Sequence, residues 1–131
     1  MVGMGIRNVA IQVAQYVGDD MKKFSFEDIS KEEVGQGCKG VTIRWLITKE
    51  LGAPNFAMRM FEVEPKGYTP LHEHDWEHEV YVLEGEGIVV GKQGEKKIKH
   101  GDVVFMPKNE KHQFRNIGDD NLRFLCLVPH H

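Results

Sequence analysis

Cysteine is scarce in this chain: 131 residues contain two, Cys38 and Cys126, far apart and outside any CxxC pattern. They make no disulfide framework, and a reducing cytoplasm is the simplest compartment for them. Long apolar runs are missing as well. No stretch approaches the roughly 20 apolar residues of a membrane-spanning helix. The opening, MVGMGIRNVAIQVAQYVGDD, is broken by Gln12 and Gln15. It has neither a continuous apolar core nor a small-residue cleavage site, so it does not read as a signal peptide. Nor is there an excess of basic charge: 17 Lys and Arg stand against 20 Asp and Glu, a formal net charge of −3. That balance excludes the basic stripe nucleic acid demands and the polybasic cluster an anionic membrane attracts. Repeats and low-complexity tracts are also absent.

The length suits one domain, which buries roughly two-thirds of its unfolded surface without covalent staples. Residues 1–20 read differently from the rest. Ile6, Val9, Val13 and Tyr16–Val17 form a weak helical stripe, and Met21 with Lys22-Lys23-Phe24 resembles a natural translation start. Two readings stay open: an appended or mis-assigned leader, or a docking segment for a partner subunit. Ser25 with Asp28 predicts a capped helical turn running through Glu33, and Gly35-Gln36-Gly37 ends it. The chain therefore divides into an N-terminal extension over 1–34 and a barrel over 35–131.

From there the pattern is all strands. Val41–Thr48 comes first, then Phe56–Val63, which Pro65-Lys66-Gly67 should break. His78–Leu83, Ile88–Val90, Lys96–Lys99, Val103–Met106, Gln113–Asn116 and Leu122–Val128 follow, separated by Gly, Pro or Asp-Asn punctuation. Many short strands at roughly 8–12-residue spacing indicate an all-β sandwich or barrel.

Four of the seven histidines fall at informative places: His72-x-His74-x3-His78, and then His112. Residues two apart on a strand point to the same side, so His72 and His74 can grip one ion together. A turn at Asp75-Trp76-Glu77 lets His78 begin the next strand, and His112 opens a later one. An HxH pair alone is as easily a chance surface cluster near Glu73, Asp75, Glu77 and Glu79. Four in one Gly and Pro framework are not. Imidazole suits first-row transition metals.

These residues carry a family resemblance. Gly67-x4-His72-x-His74-x3-His78-x6-Gly85 resembles the first cupin motif, and Gly101-x5-Pro107-x-Asn109-x2-His112-x3-Asn116 resembles the second. The resemblance spans residues 67–116 and implies a double-stranded β-helix, a jelly-roll barrel, with a homodimer as the expected assembly. Three departures stand out. The spacer from Gly67 to His72 is one residue short. Asn109 replaces a glycine, and Asn tolerates positive φ better than most residues. Where the family usually places a glutamate ligand, this chain offers both His78 and Glu79, which must face opposite ways on a strand. The six-residue spacing to Gly85 favours His78, with Val80 and Val82 inward and Glu79, Tyr81 and Leu83 outward. The site then resembles the four-histidine subgroup of cupins.

Four neutral ligands leave a divalent metal its full charge, a stronger Lewis acid that attracts anionic oxygen. Manganese or iron is favoured, with nickel, copper and zinc also compatible. Binding needs neutral rings, so metal should be lost as pH falls below roughly 6. Beyond the ligands, Arg59 and Cys126 are candidate catalytic residues. If Glu62 faces outward, parity turns Arg59 inward with Ala57, Phe61 and Val63. There it either holds an anionic substrate or pairs with a structural acid. Cys126 shares a face with Leu122, Phe124 and Val128 and is either near the metal or plain core. Phe114 should wall the pocket, Trp76 either gates access or packs at a dimer interface, and Val41–Thr48 is suited to subunit pairing. His100 reads as exposed, and His130 and His131 as a tail.

The functional expectation is a metal-dependent oxygenase or oxidoreductase acting, with dioxygen, on a small enol, diketone or aromatic. A metal-assisted isomerase or cyclase uses the same parts without oxygen. A non-catalytic sensor or ligand carrier is the alternative outside enzymology.

Overall fold

The computed structural model describes Gly18 and residues 20–131; the stripe at Ile6, Val9, Val13 and Tyr16–Val17 lies outside the described residues. Among the described residues nine strands make one curled antiparallel sheet: β1 (Glu32–Glu33), β2 (Lys39–Ile47), β3 (Phe56–Tyr68), β4 (His78–Glu84), β5 (Glu86–Gly91), β6 (Gly94–Lys99), β7 (Val103–Met106), β8 (Gln113–Asn116) and β9 (Leu122–Pro129). Their order along the sheet is β6-β5-β8-β3-β9-β4-β7, with β2 added against β3 and β1 against β2. The fold is the expected all-β jelly-roll barrel.

Period-two burial aligns the strands. On β9, Leu122, Phe124, Cys126 and Val128 are all buried, and the residues between them are half-exposed. On β4, His78, Val80 and Val82 are buried while Glu79, Tyr81 and Leu83 are exposed. A one-residue slip would exchange those faces, so the apolar alternation sets the register. Leu122, Val63 and Val82 have no exposed surface and pack one end of the interior. Further along β9, Cys126 and Val128 border a cavity, so the barrel is filled at one end and open at the other.

Two expectations are corrected. Strand β3 does not break at Pro65-Lys66-Gly67; it continues to Tyr68. A bulge absorbs the irregularity: Lys66 takes φ 70°, and β2 shifts register between Lys39 and Val41. Gly67 allows the close approach, because a Cβ there would meet the Lys39 carbonyl at 2.5 Å. The helical turn at Ser25 is also shorter than expected. The capping box forms, but the turn covers Phe26–Asp28 alone.

The segment after that turn clasps the outside of the sheet. Ile29 is buried with Leu46 and Met60, and Phe24, Phe26, Met58 and Leu125 pack around them. The Phe26 ring lies between two guanidiniums, Arg44 at 5.0 Å and Arg123 at 5.1 Å. Arg44 Nε donates to the Ile29 carbonyl at 2.9 Å, and Arg123 pairs with Glu62 at 2.7 Å. Glu62 therefore faces outward. On its other edge β2 carries β1 at Thr42 and Ile43. A broader apolar surface lies on β4 and β7, where Tyr81, Val103 and Phe105 are exposed.

Candidate functional site

The backbone brings the histidines together before any side chain matters. His72 and His112 form an antiparallel bridge: His72 N–H donates to the His112 carbonyl at 3.1 Å, and His112 N–H donates back at 2.9 Å. Reciprocally bonded residues lie opposite each other with side chains on one side. Thr69 extends the same pairing, since its hydroxyl accepts from the Phe114 N–H at 2.8 Å. The Asn109 N–H bonds the His74 carbonyl. Asn109 turns at φ 65° to make that approach, the conformation a glycine would otherwise supply. His78 enters from the first position of β4.

The four rings converge. Centroid separations are 4.3 Å for His72–His74, 4.9 Å for His78–His112, 5.1 Å for His72–His112, 5.4 Å for His74–His78 and 6.1 Å for His74–His112. Burial and the neighbouring positive groups lower three of the rings, His72, His74 and His78. Desolvation, reinforced by His74, His112 and Arg59, lowers His72 to about 4. Desolvation, with His112, Arg59 and the remaining two rings, lowers His78 to about 3. His74 is lowered for the same reasons.

Among the described residues no group of three or more His, Cys, Asp or Glu side chains is arranged to hold a metal ion as it stands. The ring spacing nevertheless fits one. Metal–nitrogen bonds of about 2.1 Å put neighbouring ring centroids roughly 4.5 Å apart and opposite ones about 6.4 Å apart, the span the four rings occupy. A second observation concerns hydrogen bonding. His78 Nε2 is buried without any partner, while His112 Nδ1 lies 2.8 Å from the Glu110 carbonyl. A carbonyl only accepts, so His112 Nδ1 carries the proton and its Nε2 keeps a free lone pair.

Next to the rings stands Arg59. It pairs across the sheet with Cys126, and its Nη2 donates to the Cys126 sulfur at 3.0 Å. His78 Nδ1 lies 3.4 Å from both that sulfur and Arg59 Nη2. Of these two neighbours the guanidinium can only donate, while His78 Nε2 has no partner among the described residues. Burial pushes the Cys126 thiol up, so it is a neutral acceptor rather than a nucleophile. The Arg59 guanidinium lies over Phe61 at 5.0 Å and Trp45 at 5.5 Å. No carboxylate among the described residues pairs with it, so the structural-acid alternative is not realised there.

These groups border a cavity of about 680 Å³. Its walls are largely apolar: Trp45, Ala57, Phe61, Phe114, Phe124 and Val128. Trp76 neither lies free nor faces outward. Its ring stacks on His74 at 4.5 Å and on His131 at 3.6 Å. His130 and His131 also line the cavity, and His130 is anchored by a 2.8 Å contact from Nε2 to the Ala53 carbonyl. They are not a free tail, because β9 carries them onto the cavity mouth. His100 is exposed, as expected. Lining residues the sequence did not suggest include Glu32, Glu33, Thr48, Glu50, His130 and His131. Thr48 left no pattern, since its inward turn comes from a bulge.

Residues 59–128 match the Cupin domain family. Over 108 residues the chain is 33% identical to an oxalate-binding protein from Thermotoga maritima, covering 77% of this chain and 88% of that one. A second relative, a 1-methylthio-D-xylulose 5-phosphate methylsulfurylase from Rhodospirillum rubrum, is 37% identical over 71 residues. The chain spans 46% of that protein. Among solved structures, the polyketide cyclase RemF from Streptomyces resistomycificus superposes with a TM-score of 0.79 at 40% identity, over 84% of this chain and 80% of that one.

Proposed function

The chain belongs to the cupin family, and from that premise we propose that it is a metal-dependent enzyme acting on an enolisable polycarbonyl or phenolic substrate, of cyclase or isomerase type. One observation carries this reading: four converging imidazoles and an arginine without an acid partner share one cavity of about 680 Å³ with aromatic walls. Such a volume lies within the range of sites for drug-sized ligands and is far larger than a compact dicarboxylate needs. The similarity to a polyketide cyclase supports the same substrate class.

His72, His74, His78 and His112 would hold the metal, with manganese or iron favoured. Bound there, a divalent cation would supply Lewis acidity toward carbonyl and enolate oxygens. The other contributions are the chain's own. Arg59, which lines the cavity with no acid partner among the described residues, receives the anionic end of the substrate, a carboxylate or enolate oxygen. Cys126 acts as a positioning residue, holding the guanidinium at 3.0 Å and the His78 ring at 3.4 Å. Trp45, Phe61 and Phe124 exclude water and hold the planar body of the substrate. Trp76 fixes the plane of His74 by stacking on it. A homodimer through the β4–β7 face belongs to this reading.

The test is turnover of a 1,3-diketone or linear polycarbonyl by metal-loaded protein, with dioxygen monitored by an electrode. Ring closure or tautomerisation without oxygen uptake is the expected result. Stoichiometric oxygen uptake would instead assign the oxygenase chemistry that the motifs first suggest. Tight binding without turnover would assign a ligand carrier, the role named for the oxalate-binding relative.

A further inference from the structure

Three buried side-chain polar atoms among the described residues have no hydrogen-bond partner: Arg59 Nε, His78 Nε2 and Thr48 Oγ1. All three residues line the same cavity. The first two belong to the site described above. Thr48 does not; it lies beyond the end of β2, on a different element.

Its orientation is built by a bulge. On β2, Ile43 and Trp45 face the cavity, while Leu46 and Ile47 pack on the outer cluster with Ile29 and Met60. Simple alternation would send Ile47 inward and Thr48 outward. Instead β2 shifts register against β3 between Trp45 and Ile47, and Thr48 turns into the cavity with 7% of its surface exposed. Bulges commonly re-aim one side chain in this way beside functional sites. The local backbone does not need the hydroxyl. Thr48 occupies the N-cap position of the short turn Lys49–Leu51, yet its side chain makes no capping bond. The Leu51 and Ala53 N–H groups are taken by the Thr48 carbonyl, at 3.2 and 3.3 Å. A buried hydroxyl with no partner costs stability, and Thr48 borders the cavity.

We infer that Thr48 is a substrate-positioning residue whose hydroxyl bonds a second oxygen of the ligand, a hydroxyl or carbonyl group, while the ligand's anionic end lies against Arg59. The substrate class is therefore bifunctional: a planar, apolar body with oxygen at both ends. This rests on the reading that Arg59 receives an anion, and the experiment separates the two.

Affinities of the full chain, as purified, are measured by calorimetry for paired probes: benzoate with 3- and 4-hydroxybenzoate, and 2-naphthoate with 6-hydroxy-2-naphthoate. In at least one pair the hydroxyl should tighten binding to the wild type by roughly 3- to 10-fold. Thr48→Val should abolish that gain and Thr48→Ser should restore it. The melting temperature of Thr48→Val should be unchanged or higher, because an orphaned hydroxyl is replaced by a methyl group. No hydroxyl-dependent gain in any wild-type pair, a gain retained by Thr48→Val, or a marked fall in its melting temperature overturns the assignment. Arg59→Met should weaken both members of each pair alike and keep the hydroxyl gain. If it weakens neither, the anion-end reading fails while the Thr48 assignment stands.

Discussion

Arg59 and Cys126 face each other across β3 and β9, and the guanidinium reaches the thiol sulfur at 3.0 Å. A cation held by a neutral sulfur and two aromatic rings, with no carboxylate beside it, is a poor choice for stability. Such features persist where function needs them. Arg59→Met should raise the melting temperature of the metal-free protein by about 3 °C and abolish the thermal protection that millimolar benzoate gives the wild type. Scanning fluorimetry with and without benzoate reads both effects. A destabilised variant that is still protected by benzoate would remove Arg59 from the anion site.

Metal retention should extend below the pH at which ordinary imidazoles protonate. His72 is lowered to about 4 and His78 to about 3 by desolvation and neighbouring positive groups. Protons therefore compete for these two rings only in that range, below the ordinary imidazole value. Elemental analysis after dialysis from pH 8 to 4 should place the midpoint of release below pH 6. A midpoint above 6.5 would contradict the burial of the rings.

The same shifts set the stability of the metal-free protein against pH. Both rings have folded values below the unfolded value near 6.5. In the window between, the unfolded chain binds more protons, so stability rises with pH. Stability should be full above pH 6.5 and decline as pH falls toward 4 and then 3. Urea titrations at pH 7.5, 6, 5 and 4 measure it, and an increase on acidification is the result this account does not allow.

Replacing any one of His72, His74, His78 or His112 by alanine should weaken metal binding by more than the roughly 10- to 100-fold that loss of an outer-sphere partner costs. Glu79→Ala should leave the metal content unchanged, because Glu79 is exposed on the opposite face of β4 from His78. Metal stoichiometry by mass spectrometry of purified variants decides between the two neighbours. Depletion in the Glu79 variant would restore the glutamate that cupin motifs more often carry.

Phe124 ties the packed end of the barrel to the cavity. It is 2% exposed and stacks on Phe114 at 4.6 Å and Phe61 at 5.3 Å. Phe124→Ala should cost about 3–5 kcal/mol, read from denaturant unfolding with unchanged slope. On the outer face, Phe105 is 64% exposed beside β4. If the proposed homodimer forms through this face, Phe105→Glu should give a monomer by light scattering without altering metal content.

By itself the sequence determined the architecture and most of the grouping of the four histidines. Alternation on β4 and β9 sorts His78 from Glu79 and Cys126 from its neighbours, because a strand has a side-chain period of two wherever the ladder is regular. Glycine, proline and Asn109 mark the turns through the φ values they permit. Tertiary structure decided what alternation cannot reach. The bridge between His72 and His112 joins residues far apart in the chain, and whether Arg59 meets an acid or the Cys126 sulfur depends on which strands become neighbours. Bulges break the period locally: at Lys66 the strand persists where proline and glycine predicted an end, and beyond Trp45 Thr48 joins the cavity wall from a position that parity assigns to the outside. The stacking of His131 on Trp76 is of the same kind, set by where β9 delivers the chain rather than by any pattern within it.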